Sequence, residues 1–413
     1  MNDHRGRPRV VITGAGVKVP GSNDVDSFWA RLRSGRSAAA PIARFDASAL
    51  PVRFACEVHD FDPEAYLGKK EPRRLDRVTH LGFAAAIDAL DDAGDLGADP
   101  SRCAVLVGTG VGGLDTLEAN LKTYFTRAPM RVSPFFVPMM MPNATAGVIG
   151  MHIGWTGPNL CITTACAAGS HAIGEGVRLI RDGTSDVVLA GGTEAPVDGP
   201  TVAAFARMGA LSRRNDEPER ASRPFDSDRD GFVIGEGAAF IVLESLDRAR
   251  SRDAKVLGEV LGYGRNADAY HITAPAPGGS GAAACMQLAL DDAGLPTDAI
   301  GHVNAHGTAT ELNDLAEAEA VRKVWGDDAP PVTSTKGVTG HLIGAAGAAE
   351  AIAATLAART GIIPPTANFE RLGENITLDV VAAERPVEPA PALSNSFGFG
   401  GHNASLIVAP PPG

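Results

Sequence analysis

The chain has 413 residues, room for two or three domain-sized units at about 150 residues each. With 44% apolar and 21% charged residues and 48 glycines scattered in short clusters, it is neither a disordered polymer nor a collagen-like or linker sequence. A net charge of −12 argues against general nucleic-acid binding and obliges any acidic partner to meet a local basic patch.

The start, MNDHRGRPRVVITGAG, lacks the apolar stretch of a signal peptide. Elsewhere Gly, Pro or charge breaks every apolar run short of the ~20 residues a membrane span needs. The five cysteines (Cys56, Cys103, Cys161, Cys166, Cys285) are odd in number and show no metal-ligand spacing. Together these predict a cytoplasmic chain with reduced thiols, no metal and no membrane partner.

Strand-like runs fall at 9–13, 104–108, 187–190, 239–243, 302–305 and 404–408, and helical patterns at 27–34, 77–93, 170–181, 281–293, 315–324 and 347–359. The alternation predicts an α/β protein. Because the strand runs are continuously apolar, the sheets should be covered on both faces. VVITGAGVKVPG imitates a dinucleotide-binding start, but Val19 stands where the third glycine belongs and Pro20 follows, so no phosphate cradle is expected. GTGVGG lacks the GKS/T of a P-loop, and no serine sits in GxSxG.

A polar stretch at 252–255 divides the chain into 1–252 and 253–413, and the turn-rich segment 210–232 reads as a long surface loop returning to the core. A weak internal repeat matches TTACAAGSHAIGEGVRLIRDG, followed by DVVLAGG, to TSTKGVTGHLIGAAGAAEAIAATLAARTG, followed by GIIPPTANF. Duplication explains it; so would the chance recurrence of common α/β units.

Cys166, in TTACAAGSHAIG, sits where a helix of small residues begins, and a helix N-terminus favours the thiolate. The alternative is a buried structural cysteine. His306, in VNAHGTATELND, lies just past a strand end, and His341, in TSTKGVTGHLIGAAG, precedes another small-residue helix with Lys336 five residues earlier. The Gly-rich turn SNSFGFGGHNAS offers further backbone N–H groups. A thiol, two imidazoles, a lysine and a Gly loop could form an acyl-transfer site.

The segments TACAAGSHAI, VNAHGTATELND, TSTKGVTGHLIGAAGA and NSFGFGGHNAS, in that order, resemble the β-ketoacyl-[acyl-carrier-protein] synthases. Within that family the likeness is greatest to the elongating synthase II group and its actinobacterial polyketide relatives. SPFFVPMMMPNATAG, ASRPFDSDRDGFVIGEGA and ADAYHITAP extend it over nearly the whole chain. The resemblance implies a thiolase-like five-layer α-β-α-β-α fold built from two duplicated halves. It also implies a decarboxylative condensation of an acyl thioester with malonyl-carrier protein.

In that implied site Cys166 takes the acyl group, while His306 and His341 donate from Nε2 to the enolate formed on decarboxylation. The backbone N–H groups of Cys166 and Phe399 form a second oxyanion hole. Phe399 is also a gate, with Gly398, Gly400 and Gly401 as its hinge. Lys336 is paired with Glu350. Thr308 and Thr310 bind the pantetheine amides, although threonines also serve as ordinary turn residues. Val111 lines the acyl pocket, and Phe136, in SPFFVP, reaches toward the pocket of a dimer partner. The family implies a homodimer or, in polyketide pathways, a heterodimer with a chain-length factor. It implies no organic cofactor, since pantetheine arrives on the carrier, and it is compatible with a bound monovalent cation.

Docking of an acidic carrier is expected at Lys69, Lys70, Arg73, Arg74 and Arg77, extended by Arg127 and Arg131, although such charges also suit a solvated helix start. Among rivals, a polyketide ketosynthase differs mainly in pathway. A silent chain-length partner would lack the cysteine. A thiolase would place a second cysteine in a C-terminal Gly-rich loop, and a plant-type polyketide synthase would carry Asn at the position of His341.

Overall fold

The apolar runs become strands that bury both faces. In the computed structural model, which describes residues 1–413, the first half of the chain contributes β1 (Val10–Lys18), β2 (Cys103–Gly108), β3 (Asn159–Ile162), β4 (Val187–Glu194) and β5 (Gly237–Ser245). The second contributes β6 (Gly258–Ala267), β7 (His302–Asn304), β8 (Val332–Thr333), β9 (Ala392–Gly398) and β10 (His402–Ala409). The strands join in the order β8-β7-β9-β10-β6-β1-β5-β4-β2-β3. Numbered within its own half, each set reads third-second-fourth-fifth-first from the outer edge. β1 and β6, the first strand of each, pair only through Val10–Ile12.

Five helices cover these strands: α1 (Arg77–Ala93), α2 (Ala168–Arg181), α3 (Ser280–Ala293), α4 (Glu311–Trp325) and α5 (Ala346–Thr360). Side chains alternate with the period of two that a strand imposes. On β2, Ala104 and Leu106 enter the central core with α2 and α5, whereas Val105 and Val107 enter an outer core with α1. In the second half, Ala392 points to the central core and Leu393 to an outer core containing residues of α3 and α4. The result is a five-layer, thiolase-like α-β-α-β-α stack.

Small residues make the stack possible. A Cβ on Gly169 of α2 would lie 2.8 Å from the backbone nitrogen of Ala348 in α5, so the two central helices meet almost backbone to backbone. Gly14 and Gly16, the pair imitating a dinucleotide motif, serve the same end. A Cβ on either would lie 2.2 Å from a carbonyl oxygen of α1, and Gly262 and Gly264 repeat the arrangement against α3 at 2.3 and 2.1 Å.

Three sequence expectations need correction. The segment following α5, GIIPPTANF, is not the counterpart of DVVLAGG. Its Ile362–Ile363 pairs with Arg385–Pro386 outside the main sheet, and the counterpart of β4 is β9, after an inserted excursion. SNSFGFGG is not wholly a turn, since Ala392–Gly398 is a strand and only the residues after it turn. Segment 210–232 is not simply a surface loop: Leu211, Phe225 and the ion-paired Arg223 and Asp226 are buried. The helices Leu114–Thr126, Phe136–Met140 and Ala144–Ile153 were not anticipated; they leave many apolar residues exposed and so lack a clean amphipathic period.

Candidate active site

After β3 the chain enters a short turn, Ala165–Ala167, that opens α2. Ala165 adopts a left-handed φ of 50°, which sets Cys166 at the head of the helix. The corresponding turn of the second half, Ile343–Ala345, opens α5, and Ile343 carries the same left-handed conformation at φ 47°. Such strain in non-glycine residues persists only where surrounding structure fixes it, and it concentrates at functional sites.

The second half delivers both imidazoles to this point. His306 follows β7, and His341 follows Gly340, whose φ of +67° turns the chain back toward α5. His341 Nε2 lies 3.0 Å from Cys166 Sγ. The two rings stand edge to face with centroids 5.4 Å apart, and ligating atoms of Cys166, His306 and His341 all fall within 4.8 Å of one another. Lys336 Nζ donates to Glu350 Oε1 and to the His306 carbonyl, both at 2.5 Å, and to His306 Nδ1 at 3.4 Å. Because Nδ1 accepts, the proton of the neutral His306 ring is on Nε2. His341 Nδ1 has no protein partner, which leaves that ring able to carry its proton on either nitrogen.

Burial governs the charges. It holds both His306 and His341 well below the ordinary imidazole range, aided by the nearby Lys336 ammonium, so both rings are neutral at pH 7. It also pushes the Cys166 thiol up to about 12, against the opposing Lys336 charge and the Phe399 N–H. The helix-terminus argument for a resting thiolate is therefore outweighed. The sulfur rests protonated, with His341 Nε2 placed to accept its proton.

Cys166, His306 and His341 open into a cavity of about 620 Å³. Thr308, Thr310, Val111, Gly398 and Phe399 line the same cavity. Thr308 and Thr310 hydrogen-bond to each other at 2.9 Å, and a Cβ on Gly398 would lie 3.2 Å from the Cys166 nitrogen. The turn at Gly400 and Gly401 is tied to segment 268–272 by the bonds Gly400 N–H to Ile272 O and Asp268 N–H to Gly401 O. Phe136 does not line this cavity; it is half-buried beside the exposed Phe135 and Val137. Lys69, Lys70, Arg73 and Arg74 are exposed together. Arg77 is not part of that surface, because its guanidinium is spent on the buried Glu236, with two bonds of 2.7 Å.

The pattern of the beta-ketoacyl synthase N-terminal domain matches residues 7–249, and that of the C-terminal domain residues 257–370. The chain belongs to the beta-ketoacyl synthase family. It is an enzyme of the ketosynthase acyltransferase class, similar over nearly its full length to known members. The 3-oxoacyl-[acyl-carrier-protein] synthase 2 of Synechocystis sp. is 45% identical over 407 residues, 97% of each chain. Among solved structures, the ishigamide ketosynthase/chain length factor is 37% identical with a TM-score of 0.93, covering 98% of this chain and 100% of that one. A type II polyketide ketosynthase in complex with its acyl-carrier protein is 28% identical with a TM-score of 0.89, again covering 98% and 100%.

Sequence reasoning missed the buried carboxylates that hold this synthase's site together. Glu317 of α4 accepts from the backbone N–H groups of His306 and Gly307, both at 2.8 Å, and Asp314 accepts from Phe225 and Ala309. Their spacing of three residues on one helix face, directly after the His306 turn, was the available signal. Glu194, an acid ending the apolar run VVLAGGTE, was another.

Proposed function

We propose that this synthase joins an acyl thioester to malonyl-[acyl-carrier protein] by decarboxylative condensation, giving 3-oxoacyl-carrier protein in fatty-acid elongation. The 3.0 Å approach of His341 Nε2 to the Cys166 sulfur, with His306 beside them, is the observation that carries the reading. His341 takes the thiol proton as the sulfur attacks the acyl carbonyl. The carrier's pantetheine sulfur then leaves with a proton, and the acyl group remains on Cys166. Malonyl thioester next loses carbon dioxide; the electron pair of the broken C–C bond enters an enolate whose oxygen faces Nε2–H of His306 and, after the His341 proton has moved from the unpartnered Nδ1 to Nε2, that of His341. Two neutral N–H donors in a dry site suit that developing charge. The enolate carbon attacks the Cys166 thioester, and the sulfur departs as a thiolate and takes from solvent the one proton that the overall reaction consumes.

Full-length identity of 45% to a relative named for the elongating synthase, against 37% and 28% to the ketosynthases of the two solved structures, favours elongation over a polyketide pathway. The partners in this reading are an acyl-carrier protein, docking at Lys69, Lys70, Arg73 and Arg74, and a second copy of the chain. The exposed apolar side chains Phe125, Met130, Phe135, Val137 and Leu160, the last on the edge strand β3, support that dimer. The chain itself holds no cofactor in this scheme. No helix is long and apolar enough to cross a membrane, which suits a cytoplasmic site of action. Release of carbon dioxide from malonyl-carrier protein tests the chemistry. His306→Ala and His341→Ala should each lower it about 100-fold or more, and unaltered release in both variants would refute the assignment.

A further inference from the structure

The cavity beside Cys166 is walled by two turns from different halves of the chain. One, residues 109–111 after β2, presents Val111; the other, at the head of α5, presents Ile343. A single buried side chain joins them. Glu194, the last residue of β4, accepts from Thr109 Oγ1 at 2.9 Å, from the Gly110 N–H and from the Val111 N–H at 3.3 Å. Across the boundary between the halves it also accepts from the Gly344 N–H at 3.1 Å. It is wholly buried, and burial pushes its carboxyl up from the ordinary range, while the four N–H and O–H donors oppose that shift. Only glycines leave it room: a Cβ on Gly110 or Gly344 would lie 2.8 or 2.6 Å from its Oε2.

We propose that Glu194 is a positioning residue for acyl selection, its carboxylate fixing the Val111 turn against the Ile343 turn and so the length of acyl chain that Cys166 accepts. The proposal rests on the acyl-transfer reading above. A carboxylate has lone pairs for four convergent donors. A glutamine offers one acceptor oxygen and turns its NH₂ toward backbone N–H groups, so at least one anchor is lost. An acetyl group adds only two carbons to the sulfur, whereas a long chain has to extend along the cavity that Val111 and Ile343 line.

The test is the rate of Cys166 acylation, read by intact-protein mass spectrometry, across carriers bearing acetyl to hexadecanoyl groups. Glu194→Gln should lower long-chain loading relative to acetyl loading by about tenfold, the usual effect of one charge-assisted hydrogen bond. Glu194→Asp, which keeps the charge and both oxygens, should recover part of that ratio, a rescue that mere loss of folded protein would not produce. Thr109→Val removes a single donor and should shift the ratio the same way by a smaller factor, so it decides the matter if Glu194→Gln does not fold. An unchanged ratio, or an equal loss at every chain length, in the variants that fold would overturn the proposal. Absence of acylation in the unaltered enzyme would instead count against acyl transfer itself.

Discussion

Lys336 donates to Nδ1 of His306 at 3.4 Å while ion-paired with Glu350, so one buried ammonium both fixes the tautomer of that ring and neutralises a carboxylate. The two roles separate by mutation. Lys336→Met leaves Glu350 buried and unpaired and should destabilise the enzyme by about 3–5 kcal/mol. Lys336→Met combined with Glu350→Leu should regain most of that stability in urea unfolding, yet remain deficient in malonyl decarboxylation because His306 has lost the donor that orients its proton. Full recovery of decarboxylation in the double variant would contradict the tautomer argument.

Acid should destabilise the fold through its buried histidines. His302 is 4% exposed, neither ring nitrogen has a hydrogen-bond partner, and burial lowers it from 6.5 to about 3. Below about pH 6.5 the unfolded chain binds a proton here that the folded chain refuses, so the stabilising contribution is complete above that pH and declines toward pH 3. His302→Leu should reduce the slope of stability between pH 6 and 4 by about 1.4 kcal/mol per pH unit. An unchanged slope would place the acid sensitivity elsewhere.

The duplicated close packing predicts matched defects. Gly16→Ala and Gly264→Ala each push a methyl group against a helix carbonyl, at 2.2 and 2.1 Å before relaxation. Each should lower unfolding free energy by about 2 kcal/mol or more. Wild-type stability in either variant would show that the helix can withdraw from its sheet.

Carrier docking predicts a selective kinetic effect. Reversing Arg73 and Arg74 to Glu should raise KM for the carrier substrate severalfold at low salt, leaving turnover of a small soluble thioester intact. Equal losses on both substrates would remove these residues from the docking surface.

Much of the fold was legible because burial on both faces leaves an unbroken apolar run. α1 was read with the bounds 77–93, and β2 and β4 lacked only a few terminal residues. Elements beside the exposed apolar surface were not legible, since Phe136–Met140 follows no single buried face. Cys166, His306, Lys336 and His341 stood out as chemically reactive residues in Gly- and Thr-rich turns, and the structure brings them together. Their protonation did not follow from sequence. A helix N-terminus argues for a thiolate, but whether water reaches Cys166 is decided by chain segments far away, among them the Phe399 turn. Glu194 and Glu317 escaped notice because a carboxylate satisfied by backbone N–H groups leaves no pairing pattern in the sequence.

Peptide mapping after a single turnover tests the central claim most directly. Incubated with an acyl-carrier protein and without malonyl substrate, the enzyme should gain one acyl group per chain, on the peptide containing Cys166, and Cys166→Ala should gain none. An acyl group mapped to Cys161 or another cysteine, or acylation that survives Cys166→Ala, would contradict the account.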